Sequence, residues 1–215
     1  GLLTFLPAVP ARPTSSARAE IRTMARPQVW LPLLAGAVGF GGSFALYTYI
    51  TPTVTEVTGI PGGLLPWVLV LYGCGMTAGS LVAGPCLDRS IDKSALAGVV
   101  GMGVVLALFA LLAHIWWIAL PLLFVNGIAM SLFTNGLQAR LLRESPDAPN
   151  MSAAMNHAAF NAANALGAYL GGVVVAAGLG YRAPAAVGVL CSIAGTAVLL
   201  LAFGLGRRRH RQRVA

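Results

Sequence analysis

Residues Met155–Gly172 read MNHAAFNAANALGAYLGG. The stretch is apolar enough to lie in a bilayer, yet it carries Asn156, His157, Asn161 and Asn164. At about 100° per residue, His157, Asn161, Asn164, Ala168 and Gly171 fall on one helical face. Amide and imidazole groups are costly in hydrocarbon unless they meet protein or water. Small residues let a neighbouring backbone come close, and Gly167-x-x-x-Gly171 has the spacing for it. The stretch therefore predicts a helix inside a bundle, packed through Gly167 and Gly171, with a polar stripe turned toward whatever the bundle encloses.

The rest of the chain agrees with a membrane setting. Hydrophobic residues make up 57% of the 215, charged residues only 9%, and the mean hydropathy is +0.79. A soluble domain is about 25% charged, so the composition describes a polytopic, all-α membrane protein. A span needs about 20 apolar residues, and six such runs stand out: 29–51, 64–86, 94–113, 116–139, 152–177 and 183–205. Of the 14 Lys and Arg, all but Arg182 lie before the first run, between the second and third, after the fourth, or after the sixth. That asymmetry makes their side cytoplasmic and places both ends of the six-span unit inside. The net charge of +8 is then a topology signal, and no nucleic-acid partner is expected.

Residues 1–10, GLLTFLPAVP, read as the end of a preceding apolar helix broken by Pro7 and Pro10. Residues 11–28 are basic and rich in Pro and Ser, the composition of a cytoplasmic linker. Residues 206–215 form a basic cytoplasmic tail. The chain thus reads as a fragment, or a protein cut in mid-course. Cys74, Cys86 and Cys191 all sit in apolar runs, which argues against a disulfide framework or a zinc site. Neither metal nor cofactor is expected, and no paired carboxylates or Ser/His/Asp set within the spans points to an enzyme.

Polar and small residues are unevenly spread. The second span has small residues at Gly75, Gly79 and Ala83, a ridge at i, i+4, i+8. In the fourth, Ser131, Asn135 and Gln138 lie within about 60° of one another while Asn126 points the opposite way. The third and sixth spans are almost wholly aliphatic and read as lipid-facing supports for four inner helices. Tyr47 and Tyr49, near the outer end of the first span, suit either an interfacial aromatic belt or a gate or ligand contact. His157 is the one titratable group inside a span that can act near neutral pH; it reads as a hydrogen-bonded structural residue or as a protonation site. The turn Gly84-Pro-Cys-Leu-Asp88-Arg89 is either an ordinary charged turn or a place where Asp88 accepts from a helix N-terminus.

Three stretches resemble one family: Phe44-Ala-Leu-Tyr-Thr-Tyr-Ile-Thr-Pro52; Gly84-Pro-Cys-Leu-Asp88-Arg89; and Asn156-His-Ala-Ala-Phe-Asn161 running into Asn164-Ala-Leu-Gly-Ala-Tyr-Leu-Gly-Gly172. The chain resembles the C-terminal half of a major facilitator superfamily transporter, in the twelve-span drug:proton antiporter group, arabinose- and chloramphenicol-type efflux branch. The resemblance implies that the six spans are helices 7–12 and residues 1–10 the end of helix 6. It implies a cell-membrane protein, partnered by an N-terminal six-helix half and the lipid bilayer, that expels a small molecule by alternating access with proton coupling. The site residues would be Asn161, Asn164, Asn135, Gln138, Tyr47 and Tyr49. Gly84, Asp88 and Arg89 match the family's conformational latch, though Ser90-Ile-Asp-Lys93 departs from its usual continuation, which predicts a weaker latch. Sugars, amphenicols and other small neutral molecules fit such a pocket equally. The competing expectation is a truncated half that acts as a membrane assembly module without transport.

Overall fold

The computed structural model describes residues 27–146 and 148–214, with side chains described within 29–205. The expected helix end at 1–10 and nearly all of the linker at 11–28 lie outside these residues. Six long helices follow one another: α1 Pro27–Thr48, α2 Leu65–Arg89, α3 Ile91–Leu112, α4 Trp116–Glu144, α5 Pro149–Ala176 and α6 Ala183–Val214. All six are long and apolar enough to cross a membrane.

The connections follow from local chemistry. One extended residue, Ser90, separates α2 from α3, and its hydroxyl accepts from the Lys93 N–H at 3.3 Å as an N-cap. Between α5 and α6, Gly178 and Gly180 take φ of 78° and 77°, a conformation that favours glycine. The outer end of α1 is broken. The helix stops at Tyr49, resumes over Ile50–Pro52 and ends in a π-helical turn, Thr53–Val57. Pro52 brings no N–H to the ladder. The buried Thr53 hydroxyl lies 2.6 Å from the Tyr49 carbonyl and 2.9 Å from that of Tyr181, which ties this segment to the α5–α6 turn.

Packing pairs α1 with α5 and α6, α4 with α2 and α3, and α3 with α6. Exchanging α1 with α4, α2 with α5 and α3 with α6 leaves that pattern unchanged, the arrangement of two three-helix repeats. Glycines set the spacing. Gly75 and Gly79 of the α2 ridge face the α4 backbone, where a methyl on Gly79 would fall 2.6 Å from the Ile128 oxygen. On the α1–α6 seam, a methyl on Gly42 would fall 2.6 Å from the Gly188 oxygen. The core of Phe109, Phe133, Met102, Leu106, Leu123 and Leu137 lies between α3 and α4.

Burial within the described residues follows packing rather than hydropathy. The α3 and α6 spans are more buried than those of α2 and α5, because α3 and α6 pack on each other behind α1 and α4, while α2 and α5 occupy the edges. Hydropathy reports what a helix tolerates, not which neighbour it meets.

Candidate functional site: the polar faces of α1, α4 and α5

The buried stripe of α5 is Ser152, Asn156, Ala163, Gly167 and Gly171. It shares only Gly171 with the stripe expected from the helical wheel. His157 and Asn161 are exposed beside it and Asn164 is half-buried. The seam explains the rotation. Gly167 lies against the Gly41 carbonyl and the Ala45 N–H, and Gly171 against the Tyr49 ring, so α5 turns its smallest residues toward α1. The amides are left at the rim of that contact. His157 makes no hydrogen bond among the described residues.

Contacts of Gly36 set the depth of the amides. A methyl there would meet Leu137 of α4 at 3.0 Å and Phe160 of α5 at 3.3 Å. Gln138 and Asn161, each one residue further along its helix, therefore occupy the same level. Asn135 lies a turn away on α4, half-buried, with its Nδ2 donating to the Ser131 carbonyl at 2.8 Å. The Asn164 Oδ1 is buried without a hydrogen-bond partner.

The two tyrosines lie further out. Tyr47 follows Gly36 by eleven residues, about 16 Å along a helix. Its ring sits 5.7 Å from Phe44 and 5.4 Å from Tyr72, centroid to centroid. Tyr49 is half-buried with its hydroxyl over Gly172 and its ring over Gly171. The six candidates thus form an amide tier toward the basic end and an aromatic tier toward the outer end.

Sequence reasoning missed a network in the outer tier. Ser43 donates to the Asn126 Oδ1 at 3.5 Å, the Asn126 Nδ2 donates to the Tyr72 hydroxyl at 3.3 Å, and that hydroxyl donates to the Met130 sulfur at 3.1 Å. Ser43, Tyr72 and Asn126 are all buried. The one signal was Asn126 itself, pointing away from the other polar groups of α4 and so toward α1 and α2.

At the basic end, α2 continues as helix to Arg89. Gly84, Asp88 and Arg89 are all exposed, and Asp88 makes no hydrogen bond or ion pair among the described residues. The carboxylates that meet Arg140 here are Asp92, in the first turn of α3, 2.5 Å from Arg140 and 3.0 Å from Arg143, and Glu144 of α4, 3.9 Å from Arg140. Arg140 is buried, reaches the Ala202 carbonyl at 3.4 Å and stacks on Phe203 at 4.6 Å. It joins α3, α4 and α6. Ser145, Ser152 and Asn156 bury polar atoms without partners around the start of α5.

A separate apolar groove of about 520 Å³ opens at the outer ends of α2 and α4, between Trp67 and Trp116. It contains none of the polar groups above. Among the described residues, no group of three His, Cys, Asp or Glu side chains is arranged to hold a metal.

Comparison with known proteins gives a consistent result. A family model, "Major Facilitator Superfamily", matches residues 3–215. The chain is 36% identical over 202 residues to "Inner membrane transport protein YdhP" of Escherichia coli, covering 89% of this chain and 48% of that protein. It is 33% identical over 191 residues to "Chloramphenicol resistance protein" of Streptomyces lividans, covering 84% and 46%. It is 29% identical over 175 residues to "Purine ribonucleoside efflux pump NepI" of Escherichia coli, covering 80% and 43%. The chain spans about half the length of the curated relatives it matches.

Proposed function

The chain belongs to the major facilitator superfamily, and from that premise we propose that it forms one six-helix half of a proton-coupled transporter that expels a small molecule by alternating access. The observation that carries the reading is the uncovered polar face of α5. An amide facing hydrocarbon without a partner costs roughly 2–7 kcal/mol, so exposed His157 and Asn161 require water or protein opposite them. A second six-helix half, rocking about a midplane site, supplies both in turn. Residues 11–28 are the cytoplasmic connection to that half, and both ends of this unit lie on the cytoplasmic side, where the Lys and Arg gather.

In this reading Asn161, Asn164, Asn135 and Gln138 exchange hydrogen bonds with the solute, and Tyr47 and Tyr49 contact it from the outer tier. His157 is the one titratable candidate on the α5 face for a proton. Gly84, Asp88 and Arg89, exposed at the basic end of α2, are free to meet the other half as a conformational latch. Two relatives bear names of export or resistance, which supports efflux over uptake.

The test uses the full-length protein in cells that lack other exporters. Expression lowers accumulation of a solute found by a susceptibility panel, and a proton uncoupler restores it. Asn161→Leu and Asn164→Leu each abolish efflux with the protein still present at its normal level. Efflux unchanged in both removes the amide tier from the site, and efflux indifferent to the uncoupler removes the proton.

A further inference from the structure

Five rings form a continuous ladder across three helices. Phe160 of α5 lies 4.6 Å from Phe40 of α1, Phe40 lies 5.0 Å from Phe44, Phe44 lies 5.7 Å from Tyr47, and Tyr47 lies 5.4 Å from Tyr72 of α2. All four spacings fall in the range over which aromatic rings attract. Its buried members, Phe40 and Tyr72, are fixed in the core, and Tyr72 is pinned further by Asn126 and Met130. Tyr47 is the member left open, 40% exposed.

That exposure differs from an interfacial belt. Belt residues present themselves at the ends of spans, as Trp67, Trp116 and Trp117 do, each more than half exposed near the outer start of α2 or α4. Tyr47 stands ten residues before Val57, where the continuation of α1 ends, so about 15 Å of chain lies beyond it. Phe44 and Tyr72 lie against it with their rings tilted by 56° and 38°, and Thr48 and Thr51 are exposed beside it.

We propose that Tyr47 is a stacking platform, and that the molecule carried presents a flat aromatic or heteroaromatic ring to it. The Ser43–Asn126–Tyr72 chain acts as a positioning device that holds the ring behind the platform. The proposal rests on the transporter reading for its cavity and narrows the solute to neutral molecules with one flat ring. Stacking geometry of this kind favours a flat ring by about 2–10-fold over a saturated ring of similar size.

The test is direct binding to the purified full-length protein, read by tryptophan fluorescence, with a matched pair of probes: 4-nitrophenyl and cyclohexyl glycosides. The wild type binds the nitrophenyl probe about 2–10-fold more tightly. Tyr47→Phe keeps that preference and Tyr47→Leu abolishes it, with thermal unfolding confirming that both variants fold. Equal binding of the two probes, binding of neither, or a preference that survives Tyr47→Leu overturns the proposal. Transport of a solute without a ring, alongside any of those results, leaves the transporter reading standing. A Tyr47-dependent preference without movement of any solute supports the platform and counts against transport.

Discussion

Replacing Gly79 by alanine sets one methyl group against the seam that holds α2. The added carbon would sit 2.6 Å from the Ile128 oxygen, 2.7 Å from the Ile128 Cα and 2.9 Å from the Ser131 Cβ. Two of those atoms are backbone and cannot rotate away. The helices must part by roughly 0.5–1 Å, and a gap of that size forfeits a quarter to a half of the dispersion energy of each contact across it. The loss is concentrated, because α4 is the principal partner of α2. Overpacking of this kind costs about 1–3 kcal/mol. Gly73, in the same helix, has nothing within 4 Å of the corresponding position. Gly73→Ala therefore brings the same gain in helix propensity, up to about 1 kcal/mol, without the clash. Thermal unfolding of the purified protein, followed by a thiol-reactive dye at the buried Cys191 in a Cys74→Ala, Cys86→Ala background, separates the two. Gly79→Ala melts lower than Gly73→Ala by about 2–12 °C, at 2–4 °C per kcal/mol for a chain of this size. Equal melting temperatures refute the claim that backbone contact at this seam fixes α2.

Asn126→Leu leaves the Ser43 and Tyr72 hydroxyls without their shared partner and destabilises the fold by about 0.6–1.7 kcal/mol, the range for interhelical hydrogen bonds in membranes; a Tyr72→Phe, Asn126→Leu cycle measures the coupling, and additive single effects would dissolve the network. Asp92→Asn removes the nearer of two carboxylates from buried Arg140 and costs about 1.5–3 kcal/mol, the worth of a hydrogen bond to a charged group, whereas Asp88→Asn, which loses no partner among the described residues, leaves the melting temperature of the protein within a degree or two of wild type. Equal melting of those two variants would remove Asp92 from its place in the clamp.

How much was legible depended on the length scale of the interaction. Six spans were readable because each is a run of about 20 apolar residues, and crossing a bilayer is a property of a run. The glycine ridge Gly75–Gly79–Ala83 was readable because close approach needs small residues at one spacing, whichever helix arrives. Helix ends were less so: α2 runs on through Asp88 and Arg89 and α4 through Arg140, since charged residues continue a helix into the headgroup region where hydropathy loses its signal. The packing of α5 through Gly167 and Gly171 was legible, but its partner was not. A helical wheel gives angles between residues on one helix, and the choice between presenting Asn161 or Gly167 to α1 was decided by Gly41 on another. The Asn126 network and the Asp92–Arg140 pair were hidden for the same reason, since their partners lie 54 and 48 residues away in sequence.

The same seams bear on how such a unit moves. Gly79 on α4, Gly42 on Gly188, and Gly167 on Gly41 each place backbone against backbone or nearly so, and contacts of that kind have no side chain to repack. Arg140 ties α3, α4 and α6 at the basic end, and Thr53 ties α1 to the α5–α6 turn at the outer end. A bundle closed at both ends and along its seams is a poor candidate for internal rearrangement. On the proposed reading, motion is therefore displaced to the faces that carry no such seam, the open sides of α2 and α5, where a second half would rock. The irregular stretch within the unit is the α1 break between Tyr49 and Val57, which Thr53 anchors by that tie. There a π-helical turn replaces regular hydrogen bonding, and π-helical turns concentrate at functional sites.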